Sequence, residues 1–71
     1  MAKVFVVYSS READENVYAV SKEWLADEKV YAVDNSGEAD KKVYVVDNPA
    51  EAYRKVYFVD SPAEADGYWL P

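Results

Sequence analysis

The sequence predicts an α/β short-repeat solenoid: a single parallel sheet with short helices on one side. Three observations carry this reading. Val4, Val17, Val30, Val43 and Val56 are spaced by thirteen residues each. Every unit begins with a five-residue β-rich run such as KVYVV, too short for a helix. Most units then carry a helix-initiation signal at one fixed register.

The units are KVFVVYSSREADE (3–15), NVYAVSKEWLADE (16–28), KVYAVDNSGEADK (29–41), KVYVVDNPAEAYR (42–54) and KVYFVDSPAEADG (55–67), with a C-terminal cap at 68–71. All five belong to one domain, since 71 residues hold no more. The second and fifth positions are always valine and the eleventh always alanine (Ala13, Ala26, Ala39, Ala52, Ala65), while the third is aromatic throughout. Four successive apolar residues suit a strand covered on both faces. In Ser61-Pro62-Ala63-Glu64 a capping serine precedes proline at the first helical position, where its missing N–H costs nothing. Asn48-Pro49-Ala50-Glu51 repeats the signal, and Ser9…Glu12 and Asn35…Glu38 keep cap and glutamate without proline.

About six residues separate the cap from the next strand, so each helix is one or two turns and partly 3-10. The alanine marks the face against the sheet. Glu38→Lys42 and Glu51→Lys55 are spaced for i,i+4 support. Strand, short helix and parallel strand imply right-handed crossovers and the strand order 1-2-3-4-5, with Tyr68-Trp69-Leu70 as a sixth edge strand. Strands stack at ~4.8 Å but helices need ~8–10 Å, which predicts curvature or thinned helical turns.

The pattern KVYVVD…EAD resembles short-repeat bacterial proteins of unassigned function that carry tandem 13-residue units. The resemblance implies a solenoid-like fold and brings no catalytic residue with it. A designed protein built on the same unit would read the same way.

Composition narrows the function classes. Fourteen acidic against eight basic residues leave a formal charge of −6, which argues against nucleic acid and anionic membrane as partners. No apolar run approaches the ~20 residues of a membrane span, and MAKVFVVYSSREADE lacks the long apolar region of a signal peptide. The cytoplasm is the default location. A chain this short buries only ~60% of its unfolded surface, and without cysteine it has no disulfide. Packing, regular local structure or a partner chain must supply stability.

With neither histidine nor cysteine, the commonest general base and the best soft metal ligands are missing. Capping explains the serines, and Gly37 and Gly67 make no phosphate loop. No catalytic, cofactor-binding or metal residue is assigned, and no cofactor is expected. Asp34, Asp47 and Asp60 at position six, and Glu12, Glu38, Glu51 and Glu64 at position ten, would form carboxylate ladders in stacked coils. Calcium could use such a ladder, but capping and a solvated rim balanced by Lys29, Lys42 and Lys55 explain it better.

The leading reading is therefore a structural or self-associating repeat scaffold without catalytic activity. The alternative is a small protein-binding module using the concave sheet face or an edge strand. Strand residues alternate between faces, and the aromatic third and valine fifth positions are placed under the helices. Val4, Val6, Val17, Ala19, Val30, Ala32, Val43, Val45, Val56 and Phe58 then form an open apolar face of ~400 Å², at the limit a monomer tolerates. A homodimer packed face to face would cover it. Trp24, with Leu25, has no counterpart in other repeats; it is read first as packing and second as an interface anchor, and Trp69 is a further candidate anchor.

Overall fold

A computed structural model describes residues 2–67. The strands are β1 (Lys3–Val6), β2 (Glu15–Ala19), β3 (Glu28–Ala32), β4 (Lys41–Val45) and β5 (Arg54–Phe58). Single 3-10 turns alternate with them: η1 (Ser10–Glu12), η2 (Glu23–Leu25), η3 (Ser36–Glu38), η4 (Pro49–Glu51) and η5 (Pro62–Glu64). The repeat and the parallel sheet stand. The open solenoid and the order 1-2-3-4-5 do not: the sheet closes into a barrel with the order β1-β3-β5-β2-β4.

Paired strands are two or three repeats apart, never consecutive. Lys3 lies opposite Tyr31 and Val4 opposite Lys41; Glu15 lies opposite Val43 and Val17 opposite Arg54; Glu28 lies opposite Val56. Every step to the next strand shifts the repeat register by two residues, and five such steps give a shear of ten. A two-residue offset of ~6.6 Å against a strand spacing of ~4.8 Å tilts the strands by ~54°, and five strands so tilted enclose a radius of ~7 Å. Untilted, they would enclose only ~4 Å, too little for side chains. The valine N–H at position five of each repeat repeats the pattern: Val7 donates to Val43, Val20 to Val56, Val33 to Val4, Val46 to Val17 and Val59 to Val30.

The connections explain why no α-helix forms. From the top of one strand the chain must return ~16 Å down the barrel and move ~10 Å sideways, across one strand. Eight residues of α-helix would cover only ~12 Å. One 3-10 turn flanked by extended residues reaches. Thus η1 packs over β4, η2 over β5, η3 over β1, η4 over β2 and η5 over β3, so that each strand is covered once. Glu38 and Glu51 end their turns, which puts Lys42 and Lys55 in or at the next strand rather than on a shared helix face.

Four of the five turns are capped by the expected side chains. Ser9 Oγ accepts from Arg11 N, Asn35 Oδ1 from Gly37 N, Asn48 Oδ1 from Ala50 N and Ser61 Oγ from Ala63 N. Lys22, at the same place in the second repeat, makes no side-chain cap. Replacing Ser61 by alanine should lower stability by about 1 kcal/mol. The same change at Ser10, one residue past its cap, should leave the melting temperature within error; equal effects at both serines would contradict the assigned turn starts.

The core is a ring of Val4, Val17, Val30, Val43 and Val56, one from each strand, all at most 1% exposed. The tyrosines and Phe5 of position three point outward and are half-buried, while Val7 and Val46 of position five are buried beneath the connections. The other side is no open face, because closure turns it inward.

Candidate functional site

The barrel interior has three layers. Two residues before each central valine, the chain places Ala2, Glu15, Glu28, Lys41 and Arg54, the last four at the thirteenth position of the repeat. Strand alternation turns them to the same side as the valines. Burial agrees: Ala2, Glu28 and Arg54 are buried, Glu15 nearly so, and the Lys41 side chain is more open. Three ion pairs tie neighbouring strands together. Arg54 Nη1 meets Glu28 Oε1 at 2.5 Å, Arg54 Nε meets Glu15 Oε1 at 2.6 Å, and Lys41 Nζ meets Glu15 Oε2 at 3.0 Å. The Arg54 Nε contact is a close ion pair whose N–H direction misses hydrogen-bond alignment. Tyr53 stacks beside the guanidinium, 5.2 Å from ring centre to Cζ.

Around this floor runs a set of aspartate clamps. At position twelve the backbone N–H of Asp14, Asp27, Asp40 and Asp66 donates to the carbonyl of Lys42, Lys55, Lys3 and Lys29 in turn. The same aspartates accept, through Oδ2, the backbone N–H of those four lysines. Tyr53 holds the place in the fourth repeat and donates to Asn16 O. Each clamp satisfies an N–H near the start of a strand from a distant repeat, the first residue of β1 and the second of β3, β4 and β5. Asp27→Ala should lower stability by about 1–2 kcal/mol, read as a shift of the urea midpoint, whereas Glu64→Ala on an exposed turn should shift it little.

Above the valines lie Val6, Ala19, Ala32, Val45 and Phe58. Val6, Val45 and Phe58 pack on the valine ring, while Ala19 and Ala32 are exposed at the mouth. The ten residues expected to form an open face thus divide into a buried ring and a barrel mouth. A closed barrel has neither the concave face nor the free edge that a binding module was expected to use.

The carboxylate ladders are broken up by the strand order. Asp34, Asp47 and Asp60 follow β3, β4 and β5, and β4 neighbours neither of the other two strands. All three are exposed, and among the described residues no group of three or more acidic side chains is arranged to hold a metal ion. Lys29, Lys42 and Lys55 are separated in the same way.

Trp24 is 76% exposed and Leu25 53%, which overturns the packing reading for both. They sit on η2 at positions where the other repeats have Arg11, Gly37, Ala50 or Ala63, and glutamate. Lys22 Nζ lies 5.7 Å above the indole centre, and Glu23 pairs with Lys29 at 3.8 Å. Trp69, the C-terminal cap and the sixth strand fall outside the described residues. No described helix is long and apolar enough to cross a membrane.

Sequence reasoning missed the charged floor and the clamps. The signal was available, since Glu15, Glu28, Lys41 and Arg54 share the parity of the central valines.

Comparison with known proteins adds one finding. A family model described as the 7(1) septoil knot domain matches residues 1–69. No curated protein and no solved structure matches the chain.

Proposed function

The chain belongs to the 7(1) septoil knot domain family, and we propose that it is a non-catalytic structural scaffold that pairs with a second copy of itself through η2. The exposure of Trp24 and Leu25 carries this reading. An indole and an isobutyl group left in water on a turn held against β5 are what an interface anchor needs. Only the second repeat spends these positions on large apolar groups.

A second copy is the occupant favoured by charge. The chain carries −6 overall, so two copies repel except where their surfaces are locally neutral. Next to Trp24 stand Lys22 and Glu23, with Lys29 beyond. A two-fold contact would set the basic side of each copy against the acidic side of the other.

Sedimentation equilibrium from 1 to 100 µM tests the proposal, with Trp24→Ala/Leu25→Ala as the comparison. The expected parent species has twice the 8.1 kDa chain mass, and the variant stays single with an unchanged melt. A parent that stays at 8.1 kDa across the range overturns self-association. A dimer that ignores both substitutions would place the contact elsewhere.

A further inference from the structure

In chain order the floor of the barrel reads Ala2, Glu15, Glu28, Lys41, Arg54, with acid after acid and base after base. In the spatial order β1-β3-β5-β2-β4 the same residues read Ala2, Glu28, Arg54, Glu15, Lys41. The signs now alternate. A ring of five cannot alternate all the way round, and the neutral Ala2 stands where the two ends of the series meet.

Floor residues on neighbouring strands are diagonal neighbours, two residues out of register and ~7–8 Å apart, which long charged side chains bridge, so their signs matter. The observed order makes three attractive contacts, all of them seen as ion pairs. A barrel closed in chain order would set Glu15 against Glu28 and Lys41 against Arg54, leaving one attraction and two repulsions in a buried layer.

The mouth layer agrees independently, in size rather than charge. In chain order it reads Val6, Ala19, Ala32, Val45, Phe58. In space Phe58 stands between Ala32 and Ala19, and Val6 beside Val45. One large residue between two small ones suits the limited room of a narrow barrel. The central valines are identical in every repeat and distinguish no strand from another.

We infer that the two end layers act as an address, with the charged floor selecting the two-step strand order over the consecutive one. Buried polar groups that fix register in this way are a known use of otherwise costly charge.

Two charge exchanges of unchanged composition test the address. Glu28→Lys/Lys41→Glu makes the signs alternate in chain order and collide in the observed order. Glu15→Arg/Arg54→Glu does the same. Combined, the four substitutions restore alternation in the observed order.

Each exchange alone should lower the folded-to-unfolded ratio roughly a hundredfold or more, or shift cross-strand proton contacts to consecutive strands. The combination should recover the parent's melt and its contacts between β2 and β4. Either exchange keeping both parental stability and parental strand neighbours would overturn the address. So would a combination no more stable than the single exchanges.

Discussion

Val43→Lys should abolish folding, whereas Val45→Lys should leave a folded protein. Val43 is 1% exposed and belongs to the valine ring, and the Glu15 carboxylate opposite it is already paired with Lys41 and Arg54. Burying that charge costs several kcal/mol, and the longer side chain overfills a layer of one valine per strand, adding ~1–3 kcal/mol. The sum approaches the whole stability of a small domain, ~5 kcal/mol or more. Val45 lies at the half-buried mouth, two residues on. A lysine there can lay its stem on the core and carry its charge out to water, at ~1–2 kcal/mol. Circular dichroism and a thermal melt separate the two. On an open sheet face the two substitutions would behave alike, so equal outcomes would contradict the closed barrel.

Arg54→Leu is the second severe change, expected to lower stability by ~3–5 kcal/mol. Arg54 sits between two acids, its side chain 4% exposed, and its removal leaves Glu28 without its 2.5 Å partner. Glu15 still keeps Lys41. Glu28 is the group that makes the loss large, because its side chain is shut off from water. Adding Glu28→Leu to Arg54→Leu should therefore regain a large part of the loss, since apolar residues often replace a buried ion pair without penalty. Lys41→Met should cost at most ~1 kcal/mol, because the lysine reaches solvent and its pair is screened. Urea midpoints rank the three variants. An Arg54→Leu protein as stable as Lys41→Met would contradict the buried floor.

The local parts of this fold were legible in the sequence because they depend on neighbours along the chain. The thirteen-residue period, the strands and the caps at Ser9, Asn35, Asn48 and Ser61 all follow from residue type at fixed spacing. The strand order was not legible by the same means. Nothing in KVYVV states which strand lies beside it, and the common preference for consecutive neighbours pointed the wrong way. Closure then followed from the register offset, which local pattern does not contain.

Two residue columns held the missing information. The thirteenth position, with Glu15, Glu28, Lys41 and Arg54, reads as a solvated rim until its parity with Val17, Val30, Val43 and Val56 is counted. The twelfth, with Asp14, Asp27, Asp40 and Asp66, reads as helix-end charge until its partners forty residues or fewer away are known. Trp24 was ambiguous for a different reason. A tryptophan in a short turn is buried or exposed according to what packs over it, and only the tertiary structure shows η2 lying outermost on β5.

Scalar couplings across hydrogen bonds in an isotope-labelled sample test the closed barrel and its strand order most directly. The account predicts couplings from the amides of Val7, Val20, Val33, Val46 and Val59 to the carbonyls of Val43, Val56, Val4, Val17 and Val30 respectively. Couplings between consecutive repeats instead, such as Val20 to Val4 or Val33 to Val17, would contradict it.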